Sequence, residues 1–395
     1  MWFINIGGMI ILDGPYVSDF LIDTLRKNQI PVLNNPFIKK INSKGVKLLS
    51  DTEAVQSIVV QHDPLYTNSE NAIGWISDNL QETDLPKQIN LFKNKEKFRK
   101  LISKLYPDFN YTKVAFNDLN KLDIETIQKP FVVKPNVGFF SMGVHIIKNY
   151  NDWKKALELL DEEMQAVKEL YPLQVMDATE FIIESYIKGK EYAVDCYFNK
   201  KGEPVVLNIL EHQFSSTDDV SDRLYYTSTT IIKGLKDSVG QFLKELNDLA
   251  GLTNFPLHIE IRIDNDMIIP IEGNPMRFGG WCTTADLAYH AYGFNPYLYY
   301  VEQNEPDWDT IIKTLDDSIY SIIILNNATG YSANQIKYFD YDKLLANFEN
   351  PLDLRKINYY QYPLFGFLFT KTSRDDFAEL NAILKSDLKE YIYLN

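Results

Sequence analysis

From His258 to Gly280 the chain alternates. His258, Glu260, Arg262 and Asp264 fall on one side of an extended segment, and Ile259, Ile261 and Ile263 fall on the other. Asn265 and Asp266 are turn formers, and a second extended run follows at Ile268, Ile269, Pro270, Ile271 and Glu272. A three-residue turn sets Asp264 opposite Ile268, Ile263 opposite Ile269 and Glu260 opposite Glu272, with Asn274 on the carboxylate face. That register buries the isoleucines and gathers the acids. A one-residue slip would expose the first and split the second, so the pattern selects the register.

The rest of the chain organises around this hairpin. Residues 1–88 read as an α/β unit. Met9–Leu12 and Ile30–Leu33 are strands, Phe20, Leu21, Thr24 and Leu25 mark a helix between them, and Ile58–Val60 is a further strand. No GxGxxG and no GxxxxGK[ST] occurs, so neither a dinucleotide fingerprint nor a Walker loop is present. Glu70, in a polar loop, reads as a solvated charge. Phe92, Phe98, Leu101, Ile102 and Leu105 outline an amphipathic helix carrying six lysines and arginines from Lys93 to Lys104.

A buried strand at Phe131–Val133 ends in Lys134-Pro135, and the loop Asn136–Gly143 leads to a strand at Val144–Ile147. A helix with Trp153, Leu160 and Val167 on its face follows. Phe181–Ile183 is a strand ending on Glu184, and Lys188-Gly189-Lys190 turns the chain into Glu191–Phe198. Pro204–Leu210 is a strand, Gln213–Thr229 a polar loop, and Leu235 to Leu249 a helix stopped by Gly251. A helix lies near Ala285–Tyr292. Beyond residue 305, strands at Ile319–Leu325 and Phe365–Thr370 precede a helix from Arg374 to Lys385.

Composition narrows the class. The 395 residues are enough for two or three domains, and 45% are hydrophobic, which excludes a disordered chain. A net charge of −14 argues against a nucleic-acid or anionic-membrane partner. The two cysteines, Cys196 and Cys282, offer neither a disulfide framework nor a metal spacing and read as buried thiols. No run approaches the roughly 18 apolar residues of a membrane span, and no basic leader precedes the first apolar run, so a cytoplasmic location is expected.

Two carboxylates and an amide oxygen on one face repel unless a cation sits among them. Hard oxygen ligands of that kind suit Mg2+ or Mn2+, ions that commonly hold nucleotide phosphates. The landmarks then fall in one order: Asn94-Lys95 in the basic helix, Val133-Lys134-Pro135 before a small-residue loop, Glu184-Ser185-Tyr186-Ile187 with Glu191 seven residues after Glu184, and the hairpin with Glu260, Glu272 and Asn274.

In this order the chain resembles the ATP-grasp superfamily, most closely its carboxylate–amine ligase branch, over about residues 1–300. The resemblance implies an α/β (α+β) ATP-grasp fold. It would comprise an N-terminal Rossmann-like α/β domain (1–88), an ATP-grasp domain (89–300) whose small ATP-binding lobe spans about 115–198 and whose second lobe is a metal-binding sheet, and an appended C-terminal lobe (301–395). It also implies ATP and Mg2+ (or Mn2+) as cofactors. Lys95 and Lys134 would neutralise phosphate oxygens, and the loop with Ser141 and Met142 would close over them. Glu184 and the backbone of Tyr186 and Ile187 would meet adenine, Glu191 the ribose hydroxyls, and Glu260, Glu272 and Asn274 the metal.

The implied reaction activates a carboxylate as an acyl phosphate and joins it to an amine, with release of ADP and phosphate. Arg277 is the expected oxyanion or carboxylate partner, with His212 and Arg223 as further catalytic candidates. Many members place an arginine two residues after the metal asparagine, whereas this chain reads Asn274-Pro275-Met276-Arg277. The expected partners are a small-molecule carboxylate and amine, with neither nucleic acid nor membrane. Oligomeric state stays open, a homodimer being one option. The alternatives are another ATP-grasp phosphoryl transfer, by a small-molecule kinase or a carboxylase, and nucleotide binding without turnover.

Overall fold

The computed structural model describes residues 7–138, 143–168, 177–216, 219 and 221–395. Its N-terminal unit alternates strand and helix: β1 (Met9–Ile11), α1 (Asp19–Asn28), β2 (Val32–Leu33), β3 (Leu48–Leu49), α2 (Asp51–Val59) and β4 (Leu65–Thr67). The strands pair in parallel in the order β3-β2-β1-β4. Ile58–Val60, expected as a strand, instead ends α2. Ser50 and Glu53 form a reciprocal capping box that starts the helix upstream, and propagation from that cap carries it through Ile58.

After α3 (Ile73–Asn79), the single basic helix anticipated from the sequence is two: α4 (Leu85–Lys93) and α5 (Lys95–Ile102). Asn94 ends the first and caps the second, its side chain accepting a hydrogen bond from the Lys97 N–H at 3.0 Å. The break turns Lys93 and Lys95 toward different partners.

Next come β5 (Tyr111–Ala115), β6 (Phe131–Val137), β7 (His145–Ile147), α6 (Tyr150–Lys168) and β8 (Asp177–Ser185), a four-stranded antiparallel sheet in the order β5-β8-β6-β7. Phe131, Val133, Phe181 and Ile183 pack with Trp153 and Leu160 of α6 into a core of its own.

The third sheet is the largest. It gathers β9 (Lys190–Phe198), β10 (Pro204–Gln213) and β11 (Leu224–Thr227), which α7 (Thr229–Ala250) follows. Then come β12 (Phe255–Asp264), β13 (Met267–Pro275), α8 (Thr283–Tyr292) and β14 (Ile319–Asn326). The chain continues through β15 (Ile336–Phe339), β16 (Pro351–Lys356), β17 (Leu364–Thr372) and β18 (Ile392–Leu394). Eight of these strands pair in the order β13-β12-β9-β10-β11-β14-β17-β16, while β15 and β18 form a separate ribbon.

Two expected boundaries therefore shift. β9 joins the large sheet rather than the small lobe, and the segment after residue 300 adds three strands to that same sheet instead of standing apart. β11 forms inside what reads as a polar loop. At Gly189, φ is +99° and a Cβ would lie 2.1 Å from the Ile263 carbonyl oxygen, so only glycine lets the turn before β9 pass against β12. The parallel sheet and the large sheet share one continuous hydrophobic core, which fixes the N-terminal unit against the hairpin.

Candidate active site

A cavity of about 540 Å³ opens where the small and large sheets meet, a size ordinary for small-molecule sites. Its walls carry Lys95, Lys134, Glu184, Tyr186, Ile187, Glu191, His212, Glu260, Glu272, Asn274 and Arg277. Of the residues expected from the sequence, Ser141 and Met142 lie outside the described residues. Arg223 is not brought to the cavity. Its guanidinium donates to the Ser386 carbonyl at 3.0 Å, fastening β11 to the helix Ala378–Lys385. On β11 the side chain facing the cavity is that of Tyr225, two residues on; Arg223 stands just before the strand, where strand alternation does not govern it, and its side chain runs to the C-terminal helix.

The hairpin pairs Glu260 with Glu272 and His258 with Asn274, as the alternation requires, but by another route. The turn has two residues, Asn265 and Asp266, both with positive φ, and Asp264 pairs with Met267. Ile271 bulges out of the ladder between the Ile261–Pro270 and Glu260–Glu272 pairs and restores the register below it. Burial and the facing Glu272 push the Glu260 carboxyl well up. Burial also pushes Glu272 up, but the Lys95 and Lys134 charges outweigh it and hold Glu272 low. Lys95 Nζ sits 3.0 Å from Glu272 Oε2 and donates to the Gly138 carbonyl at 3.2 Å.

Among the described residues no three His, Cys, Asp or Glu side chains are grouped to hold a metal. The set on offer is two carboxylates and one amide. That fits Mg2+, which takes one or two protein carboxylates and completes its shell with phosphate oxygens and water. The mutual repulsion that raises Glu260 is what such a cation would relieve.

Glu184 lies deeper, 3% exposed, on the last turn of β8 before the cavity. Arg99 of α5 grips it bidentately at 2.8 and 3.1 Å, and Lys134 Nζ lies 2.6 Å away. Burial raises this carboxyl, but Arg99 and Lys134 outweigh it and bring it to about 2. Burial pulls the Lys134 ammonium down, and the neighbouring Arg99 and Lys95 charges add to that against the pull of Glu184. Arg99 also donates to the Pro270 and Ile271 carbonyls of the bulged strand, at 2.6 and 3.1 Å. The basic helix, the small sheet and the hairpin are thus tied at one guanidinium.

Glu191 accepts from His212 Nδ1 at 2.8 Å and from Arg262 at 2.9 and 3.0 Å. Burial raises it, and these two cations outweigh burial and lower it. Both nitrogens of His212 face acceptors, Glu191 and the Ser221 carbonyl, so the geometry selects the imidazolium. Burial opposes that charge, yet Glu191 outweighs it and the His212 pKa rises. His212 also stacks on Tyr225 at 4.1 Å. Arg262 lies over the Tyr186 ring at 5.0 Å and donates to the Ile187 carbonyl at 2.6 Å.

Arg277 grips Glu70 at 2.6 and 3.1 Å, and Lys93 Nζ closes on the other carboxylate oxygen. Glu70 is buried rather than solvated. Burial raises its carboxyl, but Lys93 and Arg277 outweigh it and hold it at about 2. The displaced arginine has a local cause. Met276 adopts φ +67° and its carbonyl accepts from both the N–H and the hydroxyl of Thr67, at 2.8 and 3.2 Å. This one extra residue bends the chain so that Arg277 reaches Glu70 while still lining the cavity.

Sequence reasoning missed Glu70, Arg99 and the buried pair Asp195–His258, joined at 2.7 Å. The two cysteines are buried and free. Among the described residues no helix is long and apolar enough to cross a membrane.

With this geometry in view, residues 127–285 match the family model of the ATP-grasp domain. That stretch is an ATP-grasp domain by its match. D-alanine–D-alanine ligase of Petrotoga mobilis is 29% identical over 143 residues, covering 36% of this chain and 43% of that protein. D-alanine–D-alanine ligase A of Bacillus cereus is 27% identical over 168 residues, covering 35% of this chain and 51% of that protein. The chain thus spans about half the length of the curated relatives it matches. Among solved structures, an L-amino acid ligase from Bacillus licheniformis aligns with a TM-score of 0.67 and 16% identity, over 98% of both chains. N5-carboxyaminoimidazole ribonucleotide synthetase from Thermotoga maritima aligns at 0.60 and 16%, over 98% and 99%. These structures share the fold of this chain over nearly its whole length, including the strands after residue 300.

Proposed function

We propose that this chain, with its ATP-grasp domain, is an ATP-dependent carboxylate–amine ligase acting on small, amino-acid-like substrates. The observation that carries the reading is the convergence on one cavity of two lysines, an opposed carboxylate pair with an adjacent amide, and an arginine beyond them. Lys95 and Lys134 neutralise phosphate oxygens as point charges. The Tyr186 N–H is engaged by the Pro130 carbonyl and the Ile187 carbonyl by Arg262, so adenine meets the Tyr186 carbonyl and the Ile187 amide, with Glu184 behind them. Glu191 holds the ribose hydroxyls, and His212 keeps that carboxylate aimed.

Glu260, Glu272 and Asn274 hold Mg2+ or Mn2+, which when bound supplies charge neutralisation to the transferring phosphoryl group. The substrate carboxylate attacks the γ-phosphorus to give an acyl phosphate and ADP. The amine then adds to the acyl carbon, and phosphate leaves with the C–O bond. Arg277 offers N–H donors to the oxyanion formed in that addition.

The test is nucleotide analysis with a panel of amino acids, singly and in pairs. A ligase releases ADP and phosphate only when acid and amine are both present. AMP as product, or ADP formed with one substrate and no condensation product, would replace the ligase by another ATP-grasp reaction.

A further inference from the structure

In the large sheet one ladder row crosses six strands: Arg262, Glu191, His212, Tyr225, Ile322 and Phe369 are successive partners. Directly paired residues stand on the same face. As far as β17 the row therefore grades from ion pairs at the nucleotide end, through an aromatic ring, to hydrocarbon, and Asp353 on the edge strand β16 follows it. Two residues along the strands, and so on the same face, Ile324 pairs with Phe367 and both line the cavity. Trp281 and Tyr362 lie over them. Their rings meet edge to face at 5.1 Å, and the Trp281 ring reaches Phe367 at 5.5 Å.

Two further observations set this end apart. Trp281 and Cys282 adopt φ of +56° and +61°, a region that side-chain-bearing residues rarely occupy, and such backbone clusters where a ligand is clamped. Among the described residues, every cavity-lining residue contributed from beyond residue 300 is uncharged. Arg355, the β16 partner of Phe367, is buried, paired with Asp286 and not among the cavity-lining residues, so a charged side chain entering there would be desolvated against uncharged walls, whereas a hydrocarbon one would lose only water.

We propose that this end is the side-chain subsite for an amino-acid substrate bearing a bulky apolar side chain, branched aliphatic or aromatic. The strands after residue 300 are then a specificity wall of the active site. This rests on the ligase reading of the charged end for which molecule enters, but not for the chemistry of the wall.

The experiment is calorimetric binding of L-leucine, L-phenylalanine, L-aspartate and L-lysine to the full chain in the presence of Mg·ADP. Leucine and phenylalanine are expected to bind at least tenfold tighter than aspartate and lysine. Ile324→Arg, at a half-buried position, should weaken leucine at least tenfold and improve aspartate, with unchanged Mg·ADP affinity showing an intact fold. Trp281→Ala should weaken phenylalanine without favouring the charged ligands.

Tighter binding of aspartate or lysine than of leucine, or an Ile324→Arg protein that still binds leucine normally, overturns the inference. ADP released only with charged or small acids sinks it while sparing the ligase reading. Apolar binding that switches in Ile324→Arg without any ADP release does the reverse. Hydroxylamine, which traps an acyl phosphate as a hydroxamate, then tells which substrate carries the side chain. Hydroxamate from leucine alone places it on the acid, and ADP only with leucine plus a second amino acid places it on the amine.

Discussion

Glu184 and Glu260 face the same cavity from different sheets, and their surroundings are opposite. Glu184, like Glu70 below it, is held by two cations, and both carboxyls fall to about 2. Glu260 meets another carboxylate across the ladder and is pushed well up. The first arrangement is complete as it stands: burying an anion beside an arginine and a lysine leaves it satisfied and rigid. The second is complete only when a cation arrives. The protein thus keeps its carboxylate–carboxylate repulsion at the hairpin, where a ligand can relieve it.

The largest effect should come from removing the repulsion. Glu260→Gln together with Glu272→Gln is expected to take ADP formation below detection in the presence of both substrates. Glu260→Gln alone, which leaves the Lys95–Glu272 pair in place, should raise the melting temperature of the metal-free protein. ADP formed at the parent rate by the double variant would remove the metal role.

Breaking a satisfied site should act on the fold instead. Glu184→Gln strands Arg99 and Lys134 as buried cations and is expected to cost about 3–5 kcal/mol in urea unfolding. A loss under about 1 kcal/mol would show that the cluster is less desolvated than its burial implies.

Acid should reach the same clusters without mutation. The folded pKa values of Glu70 and Glu184 lie below the ordinary 4.5, so their stabilisation is fully present above that value. It is lost as pH falls from about 4.5 toward about 2, because the unfolded chain takes up those protons first. The loss is on the order of 3 kcal/mol for each group, and Glu70→Gln should flatten the acid limb of a stability–pH curve. The smallest effect is expected at Glu191. Glu191→Gln keeps the shape but weakens the ribose acceptor, so the KM for ATP should rise a few-fold with kcat little changed. Normal KM with lost turnover would move Glu191 from binding to catalysis.

Much of the hairpin was legible because period-two alternation is local. Glu260 and Glu272 do pair, yet through a two-residue turn and a bulge at Ile271 that no alternation pattern encodes. Tertiary ties were the least legible. Glu70 pairs with Arg277 across 207 positions, and nothing near Glu70 announces a cation. The helix through Ile58 could have been found, since Ser50-x-x-Glu53 is a capping signal that outweighs three β-branched or apolar residues at the far end. Arg223 shows the limit of proximity in sequence: it stands only two residues before Tyr225, which lines the cavity, yet its guanidinium docks the C-terminal helix.

The bend at Met276 bears on how freely the chain could be divided. Its carbonyl is tied to Thr67, and the arginine it delivers is paired with Glu70, so two of the contacts that shape the ligand site come from the first eighty residues. A chain cut at residue 88 would keep every strand of the small and large sheets. It would also leave Arg277 and Lys93 without their shared anion, and uncover the hydrocarbon that the parallel sheet covers. The boundary expected at residue 88 is therefore crossed by contacts of the site, and grafting the rest of the chain onto another N-terminal unit would need Thr67 and Glu70 carried along with it.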